Sequence, residues 1–216
     1  MQKNPPIPPE APPFDQSILL HWLGAIDIYL LDQVMKGNLQ PGMRLLDAGC
    51  GHGRSSGYFL RTGYEVHGVD ASPEMVAYVR EQVAHTEAAR SRYQVALLEK
   101  LPFEAATFDA VICVAVLHFA RDDAHFEAMV DELWRVLRPG GLFFARLCSD
   151  IGIEDRVQPL GGRRYLLPDG SQRYVVDEAI LRNKTRQLGG AMTGPLKTVN
   201  VQHQRCMTNW VMTKGI

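Results

Sequence analysis

An aspartate and three glycines stand where a predicted strand runs into a predicted helix. Residues 45–53 read LLDAGCGHG, in which Asp47 directly precedes glycines at positions 49, 51 and 53. Glycine lets the backbone pass close under a ligand, and the start of the following helix offers N–H groups that lack partners. The pattern predicts a loop that binds a nucleotide-containing molecule, but glycine spacing alone does not select one such molecule.

The charge of Asp47 separates two classes of ligand for this loop. A dinucleotide would place its anionic pyrophosphate here, where the neighbouring carboxylate repels it. S-adenosylmethionine has no phosphate and carries an ammonium and a sulfonium, which a carboxylate attracts. The position that needs the third glycine of GxGxxG is Arg54. The loop therefore favours S-adenosylmethionine over a nicotinamide dinucleotide.

A second acid ends the next predicted strand, about one strand–helix–strand length after Asp47. Asp70 closes the segment EVHGVD, and a carboxylate at this strand tip can accept hydrogen bonds from both ribose hydroxyls. Ser72 and Pro73 open a helix directly after it, so Asp70 is alternatively a charge that stabilises a helix N-terminus. Its combination with Asp47 favours the ribose interpretation.

Alternating strands and helices are predicted to position these acids. Strands are expected at residues 44–47, 65–70, 93–98, 108–113 and 142–147, with helices at 15–36, 54–62, 73 onward, 122–137 and 176–188. This alternation indicates right-handed crossovers and a parallel sheet with helices on both faces. The turn sequence PDGS at 168–171 predicts a hairpin, and residues 196–202 and 207–214 a final antiparallel pair.

Three parts of the chain are distinguished. Residues 1–14 hold six prolines within the first 13 positions and are expected to form a flexible arm. Residues 15–216 are expected to form one domain. Within it, residues 151–176 are expected to be a hairpin insertion near the site of the second reactant.

Four segments carry a resemblance to a known family. LLDAGCGHGRSS, VHGVDASPEM, EKLPFEAATFDAVICVAVLHF and LWRVLRPGGLFFARL resemble the successive motifs of class I S-adenosylmethionine-dependent methyltransferases that act on small molecules. The resemblance covers about residues 42–148, with a distant similarity to tellurite-resistance-type methyltransferases. It implies a Rossmann-like three-layer α/β sandwich, whose seven-stranded, mostly parallel sheet has an antiparallel last strand.

The resemblance also implies which positions bind the cofactor. They are Asp47 with the backbone of Ala48, Gly49 and Gly51 at the methionine end, Asp70 and Ala71 at the ribose, Leu97, Leu98 and Glu99 along adenine, and Cys113, whose carbonyl faces the ammonium. Many relatives have an aspartate at position 97 that accepts from the adenine amino group. Leucine cannot do so, which predicts weaker adenine recognition.

Methyl transfer needs an aligned nucleophile and, for some acceptors, a base. His118, directly after the fourth strand, is the candidate base; its alternative role is to shape the pocket. Arg164 and Tyr165 on the hairpin are candidates to bind an anionic acceptor, or are simply solvated. Tyr29 is a further acceptor candidate, with core packing as the alternative.

Composition limits the partners. The chain has 216 residues, 23 Lys+Arg and 24 Asp+Glu, a net charge of −1, which argues against nonspecific binding to nucleic acid. Residues 1–150 carry a net −6 and residues 151–216 a net +5. The four cysteines are scattered, so no metal site is expected, and neither a signal peptide nor a membrane span is predicted.

The expected activity is S-adenosylmethionine-dependent methyl transfer to a small, anionic acceptor in the cytoplasm. The alternatives are a non-catalytic protein that binds S-adenosylmethionine and, ranked lower, a nicotinamide-dependent oxidoreductase. The sequence leaves the oligomeric state and the atom that receives the methyl group open.

Overall fold

A sheet of eight strands forms the centre of the fold in the computed structural model, which describes residues 15–215. The predicted arm at 1–14 lies outside the described residues. The helices are α1 Gln16–Leu23, α2 Ile28–Met35, α3 Ser56–Arg61, α4 Pro73–Gln82, α5 Glu87–Arg90, α6 Asp123–Val136 and α7 Glu178–Gln187. The strands are β1 Arg44–Ala48, β2 Glu65–Asp70, β3 Tyr93–Val95, β4 Phe108–Val114, β5 Leu137–Ser149, β6 Gln158–Gly161, β7 Arg164–Leu166, β8 Gln172–Tyr174, β9 Gly190–Met192, β10 Lys197–Val201 and β11 Arg205–Lys214.

The strand order confirms the mostly parallel α/β architecture. Seven strands run in the order β10-β11-β5-β4-β1-β2-β3, and β11 is antiparallel to both of its neighbours in that order. The sheet differs from the expected seven strands because β9 pairs with the end of β11. β9 has only three residues and begins within the glycine pair at 189–190, so it shows no alternation of apolar and polar residues from which the sequence could have predicted it.

Apolar side chains pack against both faces of the sheet. On one face α6 and α7 contribute Phe126, Leu133 and Leu181 to a buried cluster that includes Trp210 of β11. The opposite face is covered by α2, α3 and α4, whose buried side chains include Phe59. Strands buried on both faces read as continuous apolar runs, as β4 and β5 do. The molecule therefore has the three layers expected from the sequence.

The predicted helix at residues 15–36 is two helices, which corrects that expectation. α1 and α2 meet at an angle of 93°, with Gly24 at φ +56° between them. Asp27 starts α2 because its Oδ1 accepts from the Tyr29 N–H at 2.9 Å. Apolar residues continue at helical spacing across this break, so periodicity alone concealed it. Within residues 15–215 no single helix is long and apolar enough to cross a membrane; only this bent pair reaches that length.

A second, three-stranded sheet follows β5. Its order is β6-β7-β8, so the hairpin predicted around residues 168–171 carries an extra strand. The turn is held by the Leu167 N–H, which donates to the carbonyl of Ser171 at 2.9 Å. Tyr174 of β8 stacks on Phe126 with ring centroids 4.9 Å apart, and its hydroxyl donates to Asp123. These contacts attach the small sheet to the segment that follows β4.

Candidate functional site

A cavity of about 640 Å³ lies at the carboxyl ends of β1, β2 and β4. This is the edge of a parallel α/β sheet at which ligands bind. The residues that line it come from the glycine loop, the tip of β2, the segment after β3 and the segment after β4. They are Gly49, Cys50, Gly51, His52, Arg54, Asp70, Ala71, Ala96, Leu98, Val114, Ala115, Val116 and Phe119.

The glycine loop is fastened to β2 by its backbone. The carbonyl of Val69 accepts from the N–H groups of Gly49 and Cys50 at 2.8 and 2.9 Å. Gly49 has φ +78°, and a Cβ at this position would lie 2.4 Å from a methyl carbon of Val116. Gly51 also has positive φ, but no heavy atom lies within 4 Å of its Cβ position. Gly49 is therefore required because Val116 packs closely against it, whereas the space next to Gly51 is open.

Asp70 occupies the position that the sequence predicted. Its Oδ2 accepts from the Gly51 N–H and its Oδ1 from the Ser72 N–H, both at 2.9 Å. The Ser72 hydroxyl caps α4 by accepting from the Met75 N–H at 3.3 Å. Each carboxylate oxygen keeps further acceptor capacity toward the cavity. Asp70 thus lies both next to a helix start and on the cavity wall.

Asp47 lies beneath the loop and is not among the residues that line the cavity. It is 3% exposed, and its Oδ2 accepts from the Ser56 hydroxyl at 2.6 Å. Burial raises the pKa of the Asp47 carboxyl to about 6, against the hydrogen bonds from Ser56 and the charge of Arg54, which lower it. Asp47 therefore ties β1 to the start of α3. Ala48 is likewise fully buried and not on the wall.

The three residues predicted along adenine are separated by the structure. Leu98 lines the cavity, whereas Leu97 is 54% exposed and lies off its wall. The Glu99 carboxylate lies 3.3 Å from Nε2 of His125 and is also absent from the wall. Ala96, which the sequence analysis missed, lines the cavity instead. It directly follows β3, so the rule that ligands bind at strand carboxyl ends could have found it.

The segment after β4 forms the opposite wall. Cys113 is fully buried inside β4, and burial raises the pKa of its thiol far above the usual range. Residues 114–116 and Phe119 line the cavity in its place. Ala115 has φ +62°, and its N–H donates to the carbonyl of Arg146 at 2.8 Å. The wall therefore lies one to three residues beyond the predicted position.

His118 lies on a 3₁₀ turn, Leu117–Phe119, beside the cavity but not on its wall. It is 6% exposed, and its Nδ1 has no hydrogen-bond partner among residues 15–215. Burial, together with the smaller effect of the positive charges of Arg173 and Arg205, lowers the pKa of His118 to about 4. The imidazole is therefore neutral at pH 7, with a buried Nδ1 that has no partner in the described part of the chain.

The acceptor candidates lie in two places. Arg164 donates to the carbonyl of Ala120 at 3.4 Å, and Tyr165 packs on the side of the small sheet that contacts Cys148. Arg173, directly opposite Tyr165 in the β7–β8 pair, lies over the ring of Phe119 at 4.9 Å from its centroid. The predicted pair thus brings a third residue, Arg173, to the cavity rim.

Tyr29 lies on α2 in a charged network. The Arg146 guanidinium lies 5.6 Å from the Tyr29 ring centroid and donates to Asp27 at 2.9 Å. Asp27 also pairs with Arg54, a wall residue, at 3.5 Å. This network connects α2 to the cavity wall. Tyr29 therefore contacts a charged group in addition to the apolar core.

Comparison with known proteins agrees with this geometry. Residues 46–145 match the family model described as "Methyltransferase domain". A ubiquinone biosynthesis O-methyltransferase from Methylocella silvestris is 38% identical over 104 residues, which are 48% of this chain and 39% of the relative. A malonyl-[acyl-carrier protein] O-methyltransferase from Pectobacterium atrosepticum is 35% identical over 132 residues, 61% of this chain and 47% of the relative. The chain thus spans less than half the length of these two relatives.

A solved structure shares the fold over most of the chain. The S-adenosylmethionine-dependent methyltransferase from Methanosarcina mazei superimposes with a TM-score of 0.70 at 19% identity, covering 85% of this chain and 97% of that one. The similarity to tellurite-resistance-type proteins stays a prediction. Residues 46–145 are therefore similar to methyltransferase domains, and the chain shares the fold of the Methanosarcina mazei methyltransferase.

Proposed function

We propose that this protein transfers the methyl group of S-adenosylmethionine to a small, anionic acceptor. The observation that carries the proposal is the position of Asp70: two backbone N–H groups hold its carboxylate on the wall of the cavity, next to the glycine loop. A carboxylate fixed in this way suits a ribose and repels a phosphate.

The cavity wall suits the other parts of the cofactor as well. Ala96 and Leu98 offer an apolar surface for adenine, and the open space at Gly51 lets a ligand approach the backbone. Arg54 offers a cation to the methionine carboxylate. The buried charge of Asp47 lies below the same loop and favours the ammonium electrostatically. Because Leu97 has no acceptor group, adenine recognition depends on shape and backbone.

When bound, S-adenosylmethionine supplies an activated methyl group, so this chain's residues have to orient the acceptor and receive its proton. His118 is the candidate to receive that proton because it is neutral at pH 7 and has a free Nδ1. A pKa of about 4 makes it a weak base. It therefore suits an acceptor whose proton becomes acidic as the methyl group arrives.

The anionic character of the acceptor is inferred from the rim. Arg173 rests on Phe119, a wall residue, and Arg205 is close enough to lower the pKa of His118. Arg205 is partly neutralised by Asp169 at 3.5 Å, which leaves Arg173 as the rim cation nearest to Phe119. A guanidinium on an aromatic face is positioned to bind a carboxylate or phosphate.

The first test is a calorimetric titration with S-adenosylhomocysteine and, separately, with NAD. We expect micromolar binding of S-adenosylhomocysteine only, and a loss of about 10- to 100-fold in Asp70→Asn because a hydrogen bond to a charged group is removed. Asp155→Asn is the matched control. Asp155 is an exposed acid that follows β5 in the chain and does not line the cavity, so this variant should bind S-adenosylhomocysteine as the wild type does. Binding of NAD alone would contradict the proposal. Tight binding with no methyl product from any small acceptor would favour the non-catalytic alternative.

The second prediction concerns the buried charge of Asp47. Its pKa is raised from 3.8 to about 6, so the folded state loses stability as the pH rises from about 4 to 6. Asp47→Asn keeps an acceptor for Ser56 without the charge. Its free energy of unfolding should be about 3 kcal/mol higher than that of the wild type at pH 7.5 and equal to it at pH 3.5. Urea denaturation at both pH values measures this.

The same variant should bind S-adenosylhomocysteine about tenfold more weakly, or ~1.4 kcal/mol, because the ligand's ammonium loses its counter-charge. Equal affinity in Asp47→Asn and the wild type would remove Asp47 from the binding site. An equal difference in unfolding free energy at both pH values would show that the carboxyl is not desolvated.

The third prediction separates acceptor binding from cofactor binding. In Arg173→Met, KM for hydroxycarboxylate acceptors should rise by about tenfold or more, because one charge-assisted hydrogen bond is lost. The affinity for S-adenosylhomocysteine should stay unchanged. Methyl transfer is measured on a panel of small hydroxycarboxylates and on their uncharged amides.

Arg182→Met is the control, since Arg182 is an exposed arginine of α7 that pairs with Glu178. The wild type should prefer the carboxylates, and the preference should disappear only in Arg173→Met. A preference for the amides in the wild type would contradict an anionic acceptor.

A further inference from the structure

A second, smaller pocket lies between α2 and the β10–β11 pair. Its volume is about 90 Å³, and its lining shares no residue with the cofactor cavity. Asn209 and Phe144 contribute from the sheet, Tyr29 from α2, and Pro195 from the loop before β10. These two rings and the proline give the pocket apolar walls, and its remaining lining is mostly polar: Asp32, Gln33, Lys36, Asn38, Thr193, Lys197 and Asn209, with Gly194 and Val211.

Asn209 is the unusual polar group of this pocket. It is 4% exposed, and neither its Nδ2 nor its Oδ1 has a hydrogen-bond partner among residues 15–215. A buried amide without partners costs stability, and such groups are rare in folded proteins. Within residues 15–215, nothing satisfies this donor and this acceptor on one side chain.

The residue opposite Asn209 shares this deficit. Arg146 faces Asn209 directly in the β5–β11 ladder, and its buried Nε also has no partner in the described part of the chain. Its other nitrogen, Nη1, is engaged with Asp27. The buried Asn209 and the half-buried Arg146 are thus neighbours that leave hydrogen-bonding groups without partners on the face of the sheet that α2 covers.

The mouth of the pocket is held by charges. Asp32 of α2 accepts from Lys36 at 2.5 Å and from Lys197 of β10 at 3.2 Å. The two ammonium groups share one carboxylate, so these three side chains together carry a net charge of +1. Among the lining residues, Asn209 is the one whose amide nitrogen and oxygen are both buried and without a partner in the described part of the chain.

We propose that this pocket binds a small molecule through a carboxamide or lactam edge. Such an edge has a donor next to an acceptor and is the complement of an amide side chain, whereas a carboxylate has acceptors only and would leave Oδ1 of Asn209 unpaired. The flat apolar walls formed by Tyr29, Phe144 and Pro195 fit the body of such a molecule. The site is separate from methyl transfer, and its test does not depend on catalysis.

The test uses 2-pyrrolidinone, a small lactam, and ¹⁵N-labelled protein. The side-chain NH₂ signal of Asn209 is assigned as the one missing in Asn209→Leu. We expect that signal to shift saturably with a Kd of about 1 mM or weaker, because a ligand of so few atoms supplies little binding energy. Cyclopentanone, which has the same ring without the N–H, and propionate, which has only acceptors, should bind at least tenfold more weakly.

Two variants separate the site from general effects. Asn209→Leu and Asn209→Ala should abolish the response to 2-pyrrolidinone, while Asn183→Leu, the same change on the exposed face of α7, should keep it. Absence of any saturable shift in the wild type would overturn the proposal, as would equal binding of propionate. A response that persists in both Asn209 variants would also overturn it.

Thermal unfolding provides an independent readout. Asn209→Leu should raise Tm by about 2–4 °C, because the unpaired amide is replaced by an apolar group of similar size. A fall of the same size would show that the amide is already hydrogen-bonded within the protein, and would overturn the assignment.

Discussion

The site depends on one backbone constraint: the loop after β1 has to stay attached to β2 while it turns into α3. The Val69 carbonyl accepts two loop N–H groups, and the Gly51 N–H donates to Asp70. These bonds exist because β1 and β2 are parallel neighbours whose carboxyl ends meet. The close approach to Val116 requires glycine at position 49, which brings the segment after β4 to the same cavity. Three of the four segments that line the cavity are therefore positioned by this one attachment of the loop.

The same loop covers Asp47, whose buried charge lowers the stability of the folded state. Its side chain is buried beneath the loop with Ser56 as partner, and burial raises its pKa. A neutral residue would hold the loop with less loss of stability. In the function proposed above, the ammonium of S-adenosylmethionine lies on the other side of the loop and offsets this cost by its attraction to the carboxylate. On that proposal, stability and binding impose opposite demands on one residue.

Much of the fold was predictable because its signals are local. The turn from β1 into the glycine loop and the Ser72 cap of α4 each follow from adjacent residues. The break between α1 and α2 was not predictable, since apolar spacing continues through Gly24 and only tertiary packing bends the chain. Residues on the wall were predicted to within one to three positions. The sequence placed Arg173 on the hairpin, but its contact with Phe119 depends on how the small sheet packs, which the sequence does not specify.

The most direct test of the central claim is a crystal structure with S-adenosylhomocysteine. The account predicts that both ribose hydroxyls lie within hydrogen-bonding distance of the Asp70 carboxylate, with adenine between Ala96 and Leu98 and the sulfur facing Phe119 and residues 114–116. A ribose placed away from Asp70, or a ligand bound outside this cavity, would contradict it.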